Sequence, residues 1–190
     1  MLEKIQSVDL NQEVEALIGL FQAGKIDQVL SEADLLLKQF PDSIALLNLQ
    51  GIAYSTIYNF HEAIQTYKKA IHIDPENSIT HFNLGVALQD SGQLTDALRN
   101  YQIAVRKKPQ YFQALFNIGL IFEKMELVPS AVSYFKKALA LNPNNGQALL
   151  KVGKAQAAIG KVKQAESNFR KSYETDYNLS ISKHTLGSLL

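Results

Sequence analysis

The sequence predicts an all-α protein built from repeated pairs of helices, because one residue pattern recurs every 34 positions and apolar residues within each copy have helical spacing. Small residues form a glycine column of Gly51, Gly85, Gly119 and Gly153 and an alanine column of Ala63, Ala97, Ala131 and Ala165. Larger residues form an aromatic column of Tyr67, Tyr101, Phe135 and Phe169 and a proline column of Pro41, Pro75, Pro109 and Pro143. Columns that keep one interval over several copies indicate a repeat protein.

The first helix of each copy is indicated by apolar spacing and by a glycine at its expected end. In the stretch 44–57, Leu47, Gly51 and Tyr54 fall on one helical face. Glycine in this column lacks bulk, so we expect the two helices of a copy to cross closely there. Further glycines stand where first helices should end, in the left-handed turn that glycine tolerates best; these are Gly24, Gly92 and Gly160.

The second helix of each copy is indicated by the alanine, aromatic and proline columns. Alanine permits the close crossing, and we expect the aromatic ring to fill the gap beside it. Proline lacks a donor amide and cannot continue a helix, so it marks the end of each second helix. Pro129, by contrast, falls in the first turn of a second helix, where its missing N–H costs little.

Five copies follow one another along the chain, and we expect them to form a single array over residues 1–190. The first copy, 10–43, is degenerate, because Leu17 stands in the glycine column, Val29 in the alanine column and Ala33 in the aromatic column. The regular copies are 44–77, 78–111, 112–145 and 146–179. Residues 180–190 restart the pattern with an apolar helix. We expect this helix to be truncated, as the front part of a longer protein, or to be covered by self-association.

Composition excludes several classes of site and partner. The chain contains no cysteine, which excludes disulfide frameworks, thiolate zinc sites and cysteine nucleophiles. The chain has 19 lysine and arginine residues and 18 aspartate and glutamate residues, a net charge of +1. We therefore expect neither nucleic acid nor an anionic membrane as a partner. No apolar run approaches the ~20 residues of a membrane helix. The first residues do not resemble a secretory signal, so we expect a cytoplasmic protein.

The repeated pattern resembles the tetratricopeptide repeat. In the second copy its positions are Leu47, Gly51, Tyr54, Ala63, Tyr67, Ala70 and Pro75. The resemblance extends over nearly the whole chain. It implies a right-handed α-solenoid, a superhelix of antiparallel helix pairs whose first helices line a concave wall. It implies little about function, because this family is a scaffold for many different ligands.

Charge is nearly absent from the predicted first helices. The stretch 44–57 has no charged residue, 78–91 has only Asp90, and 112–125 has only Glu123 and Lys124. A helix that packs on one side only should carry charge on its other side. We therefore expect something other than water to cover part of the concave wall.

Helical geometry predicts which residues of the first helices face away from the helix stack. The expected binding residues are Asn48, Ile52, Phe82, Asn83, Val86, Gln89, Phe116, Asn117, Leu120 and Leu150. They form an apolar patch with two aromatic rings, a surface typical of binding sites for a peptide or a partner protein. Two alternatives remain open, namely that neighbouring first helices bury these side chains or that the patch is a contact between copies of the chain.

Asn83 and Asn117 resemble, in part, the asparagine ladder of the O-linked N-acetylglucosamine transferase superhelix. That resemblance implies that their amides hold the main chain of a peptide, since an amide both donates and accepts hydrogen bonds. Leu49 and Lys151 occupy the same column in the flanking copies, which leaves only two such positions. The alternative is that both asparagines are solvated or capping residues.

No motif in the sequence predicts catalysis, a cofactor or a metal. Phosphate-binding and dinucleotide-binding glycine motifs are missing from the sequence. None of the four histidines, His61, His72, His81 and His184, has a second ligand at metal-binding spacing. His81 takes a column held by leucine in other copies, so we interpret it as a packing residue. We therefore expect that the chain is not an enzyme.

Two functions remain as hypotheses. The first is a protein–protein interaction module that binds a peptide or partner protein on a largely uncharged, apolar concave surface. The alternative is a substrate-recruiting front domain of a larger enzyme whose catalytic domain lies beyond residue 190. The alternative rests on resemblance alone, because similar bacterial repeats precede glycosyltransferase, sulfotransferase or oxygenase domains.

Overall fold

The computed structural model describes residues 9–175, and it confirms the predicted all-α class. The described residues form ten helices and no strand. The helices are α1 (Leu10–Gln22), α2 (Ile26–Gln39), α3 (Ile44–Thr56), α4 (Phe60–Ile73), α5 (Ser78–Asp90), α6 (Leu94–Lys107), α7 (Phe112–Lys124), α8 (Val128–Leu141), α9 (Gly146–Ala158) and α10 (Val162–Thr175). Each predicted copy contains one pair of them. The helix expected in 180–190 lies outside the described residues.

The chain divides into two compact units, with the boundary inside α6 between Asn100 and Tyr101. Unit 1 ends at Asn100 and unit 2 begins at Tyr101. Within each unit, a first helix contacts the second helix of its own copy, as in the pairs α3–α4, α7–α8 and α9–α10. The expectation of a single array over the whole chain stays a prediction.

Four of the five first helices among the described residues begin at a polar side chain that satisfies a free backbone N–H, and α7 begins at Tyr111 without such a bond. Asp9, Ser43, Asn77 and Asn145 each accept a hydrogen bond from an amide in the first turn of the helix that follows. After α2, α4, α6 and α8, one residue separates the last helical residue from a proline of the proline column. The proline column therefore marks the ends of these second helices, as predicted.

The turn between the two helices of a copy has one residue in the left-handed region. Gly24, Gly92 and Gly160 occupy it with φ of 74°, 84° and 76°, which confirms the predicted role of these glycines. In the other two copies Tyr58 and Glu126 adopt φ of 60° at the same place. A residue with a Cβ is strained in this conformation, so these two turns are less favourable than the other three.

The glycine and aromatic columns meet within the second, fourth and fifth copies. A Cβ added at Gly51 would lie 2.5 Å from Cε1 of Tyr67, and one added at Gly119 would lie 2.5 Å from Cε1 of Phe135. The sequence predicts a close helix crossing at the glycine, with the ring in a gap beside it. The structure refines this, because the edge of the ring fills the space that the glycine leaves open.

The degenerate first copy keeps the packing with the sizes reversed. Leu17 in the glycine column is 1% exposed, and Ala33 in the aromatic column is fully buried. They belong to one apolar cluster in unit 1 that also holds Val29, Leu36 and Leu46. A large residue on the first helix thus replaces the large ring on the second, so this copy has a packed core without the repeat signature.

Unit 2 has its core around the rings of the aromatic column. Phe135 packs with Ala131 and Val152, and Phe169 packs with Ala165. Among residues 9–175, no helix is both long enough and apolar enough to cross a bilayer.

Candidate functional site

The predicted binding residues of unit 1 lie on two helices that contact each other, α3 and α5. We call this set the α3–α5 surface; it comprises Asn48, Ile52, Phe82, Asn83, Val86 and Gln89. All six side chains are half-buried, and none of them is charged. The helices therefore bring these predicted residues together, and each remains partly accessible.

A chain of hydrogen bonds orients the amides on the α3–α5 surface. Asn83 Nδ2 donates to Asn48 Oδ1 at 3.4 Å, and Asn48 Nδ2 donates to the buried Thr80 Oγ1 at 2.9 Å. Thr80 Oγ1 in turn donates to Asn77 Oδ1 at 3.1 Å, the side chain that caps α5. In the part of the chain that the structure describes, Asn83 Oδ1 accepts no hydrogen bond. The network thus holds the Asn83 amide with its oxygen available.

In unit 2 the predicted residues on α7 have more internal partners. The Phe116 ring lies 5.9 Å from the Phe112 ring and 5.4 Å from the Phe135 ring, measured between centroids. Asn117 Nδ2 donates to the hydroxyl of Tyr101 at 3.1 Å, so its amide is committed within the unit. Phe116, Asn117 and Leu120 are each half-buried. We call these three residues the α7 surface.

Leu150 departs from the prediction. Its side chain is 6% exposed and packs with Ala165 and Phe169 of α10. Leucine is shorter than the phenylalanines that hold this column in the two preceding copies, and it lies within the core of its own helix pair. Leu150 is therefore a core residue and is not part of an accessible surface.

Two charged residues near the α7 surface form an ion pair that the sequence argument missed. Lys151 Nζ donates to Glu123 Oε2, and each side chain is less than half exposed. The partners are 28 residues apart, on α7 and α9. Helical spacing within one element could not predict a pair at this separation.

Sequence reasoning also missed a pocket between α7, α8 and α9, which we call the α7–α9 pocket. It has a volume of about 180 Å³. Its lining residues are Glu123, Val128, Ala131, Phe135, Lys154, Ala155 and Ala158. Five of these seven side chains are apolar, and the two charged ones belong to α7 and α9.

His81 is a packing residue, as interpreted from its column. It is 5% exposed, with Nδ1 at 3.1 Å from Asn100 Oδ1 and Nε2 at 3.1 Å from the Pro75 carbonyl oxygen. Within residues 9–175, no three side chains of histidine, cysteine, aspartate or glutamate are grouped so as to hold a metal ion.

Comparison with known proteins supports the repeat assignment. A family model described as tetratricopeptide repeat matches residues 82–146 and 122–178, and a second, described as TPR repeat, matches residues 59–92. No curated protein matches the sequence significantly.

Several solved structures resemble the chain in fold. A crystal structure of MamA has 22% identity and a TM-score of 0.78, covering 90% of this chain and 96% of that one. YrrB, a TPR protein whose structure is described as having an unusual peptide-binding site, has 20% identity and a TM-score of 0.73, with coverage of 91% and 89%. PilF of Pseudomonas aeruginosa has 18% identity and a TM-score of 0.81, with coverage of 94% and 87%. At these identities the likeness is one of fold.

Proposed function

The chain belongs to the tetratricopeptide repeat family, and from that membership we propose that it is a non-catalytic interaction module that holds a peptide or a partner protein against its first helices. One observation carries the proposal. The α3–α5 surface has six partly accessible side chains and no charge, although it belongs to helices that should be charged wherever they face water.

The chemistry of the α3–α5 surface suits a peptide. Ile52, Phe82 and Val86 supply apolar contact area, and an aromatic residue in such a patch is a typical anchor for binding energy. Asn83 offers a free amide oxygen to a backbone N–H of the ligand, whatever the ligand sequence. Peptide binding in a relative of the same fold, YrrB, supports this class of ligand.

The test replaces one ring on each predicted surface. We expect Phe82→Ser and Phe116→Ser each to weaken binding of a peptide selected from a random library by about tenfold, since each removes apolar contact area from the interface. Binding is measured by fluorescence anisotropy with the full chain, and stability by urea unfolding. Each variant should stay within about 2 kcal/mol of the parent protein in free energy of unfolding, as expected for partly accessible positions.

Matched controls come from exposed apolar residues of second helices. Leu35 on α2 is 58% exposed and Leu141 on α8 is 38% exposed. Leu35→Ser and Leu141→Ser should leave the affinity within about twofold of the parent value. Equal losses of affinity in all four variants would contradict the proposed surface. If the chain associates with itself as its concentration rises, and Phe82→Ser abolishes that association, the partner is a second copy of the chain.

A further inference from the structure

We propose that the α7–α9 pocket takes one apolar side chain of a peptide segment that carries a neighbouring aspartate or glutamate. The assignment rests on the proposed function, since it names the chemistry of a ligand that this module would hold. It concerns residues of unit 2 alone, none of which belongs to the α3–α5 surface.

The size and lining of the pocket match one apolar side chain. Its volume of about 180 Å³ is close to that of an engineered apolar protein cavity, ~150 Å³, that binds benzene. Ala131 and Phe135, 2% and 1% exposed, belong to the packed core of unit 2. Val128, Ala155 and Ala158 complete the apolar lining. A leucine or phenylalanine side chain would therefore be surrounded by carbon on several sides.

The pocket exists because α9 has small residues where the preceding first helix has larger ones. Ala155 stands one repeat after Ile121, and Ala158 stands one repeat after Lys124. Ile121 is fully buried in its own copy. Alanine at the corresponding position of α9 lacks three carbon atoms of that side chain, which leaves space beside Phe135.

The charges around the pocket favour an anionic ligand. Glu123 is paired with Lys151, so its carboxylate is compensated. Lys154 is exposed and has no hydrogen-bond or ion-pair partner among residues 9–175. Its column is apolar in the other regular copies, where it holds Ile52, Val86 and Leu120. The pocket therefore combines an apolar interior with one uncompensated ammonium group at its edge.

A side-chain carboxylate fits this arrangement better than a terminal one. A carboxylate at a chain end is fixed immediately beside the last side chain, whereas the rotamers of a glutamate place its carboxylate at a range of distances from the anchored side chain. Lys154 supplies a single ammonium on a flexible stem, which can reach a glutamate one or two residues from the anchored side chain.

The probes are four acetylated and amidated hexapeptides that differ at two central positions, Leu-Glu, Ala-Glu, Leu-Gln and Leu-Lys, on an alanine background. Amidation removes the terminal carboxylate. With the full chain, we expect Leu-Glu to bind about tenfold more tightly than Ala-Glu or Leu-Lys, with Leu-Gln between them. A free-acid peptide that ends in leucine on the same alanine background, with no acidic side chain, and that binds as tightly as Leu-Glu would overturn the choice of a side-chain carboxylate.

Two substitutions locate the binding. Ala155→Ile introduces the side chain that the preceding copy has at this position and should abolish the preference for leucine over alanine. Lys154→Gln should abolish the preference for glutamate over lysine. The matched controls Ala140→Ile and Lys136→Gln, at exposed positions of α8, should keep both preferences.

The outcomes separate this inference from the function on which it rests. Equal binding of all four peptides, binding of none, or preferences unchanged by Ala155→Ile and Lys154→Gln would overturn the pocket assignment. The proposed function is decided separately by Phe82→Ser and Phe116→Ser, whose peptides come from an unbiased library. A melting curve of Ala155→Ile that matches the parent protein shows that a lost preference reflects the filled pocket.

Discussion

At the scale of single residues, packing in this chain depends on pairs of opposite size. Gly119 and Phe135 meet at a distance that no Cβ could accept, and Leu17 with Ala33 reverses the sizes. Tyr67 belongs to the same kind of pair, with Gly51. Its burial raises the pKa of its hydroxyl well above the ordinary value, and a side-chain hydrogen bond with Ser55 opposes this shift. The pairs explain why glycine and an aromatic residue recur together.

Gly119→Ala tests this pairing. The new Cβ would lie 2.5 Å from a ring that is 1% exposed and cannot swing aside without disturbing its neighbours. We expect the free energy of unfolding to fall by about 1–3 kcal/mol, as for other overpacked cores. Urea unfolding followed by circular dichroism measures the change.

Gly19→Ala is the matched control, since Gly19 is also inside a helix and has no neighbour within 4 Å of an added Cβ. The free energy of unfolding of Gly19→Ala should rise by about 0.5–1 kcal/mol, because alanine loses less conformational freedom than glycine on folding. Two variants with the same change in stability would show that helix propensity, and not ring contact, explains the glycine column.

At the scale of the element, each helix pair depends on a turn with one left-handed residue. Three copies use glycine there, whereas Tyr58 and Glu126 adopt the same conformation with a Cβ. Tyr58 is 81% exposed and its ring lies 6.0 Å from the Phe60 ring, in an edge-to-face arrangement. The turn geometry is therefore kept by the fold even where the residue does not favour it.

Replacing Glu126 by glycine should relieve this strain. A residue with a Cβ in the left-handed conformation destabilises the fold by roughly 1–2 kcal/mol. Glycine removes this strain, but its greater conformational freedom in the unfolded chain offsets part of the gain. We therefore expect Glu126→Gly to raise the free energy of unfolding by about 0.5–1 kcal/mol. The reverse change, Gly92→Ala, should lower it by about 1 kcal/mol, and thermal unfolding of both variants provides the measurement. A stabilised Gly92→Ala would show that the turn is not strained.

At the scale of the whole molecule, the recurring columns predicted the helices well, because their steric requirements repeat at fixed sequence intervals. Contacts between copies were less predictable. The Asn83–Asn48 bond joins residues 35 apart, and the α7–α9 pocket depends on how Ala155 differs from Ile121 in space. The column of Leu150 predicts a residue that faces away from the helix stack, but its shorter side chain packs on α10. The alternative of an enzyme's front domain stays a prediction.

The distribution of charge over the molecule predicts how binding responds to salt. The α3–α5 surface has no charged residue, so a ligand held there gains little from long-range attraction. Raising NaCl from about 0.05 M to about 0.3 M shortens the range of electrostatic interactions but leaves apolar contact intact. We expect the affinity for a ligand sensitive to Phe82→Ser to change by less than about twofold over this range.

The Leu-Glu peptide offers an internal comparison, because its carboxylate faces the exposed Lys154. Its affinity should fall by at least about threefold over the same salt range, and Lys154→Gln should remove that dependence. Anisotropy titrations at several salt concentrations give the salt dependence of the affinity for both ligands. A steep salt dependence for the first ligand would mean that charged residues elsewhere on the molecule, and not the uncharged α3–α5 surface, provide the surface on which it binds.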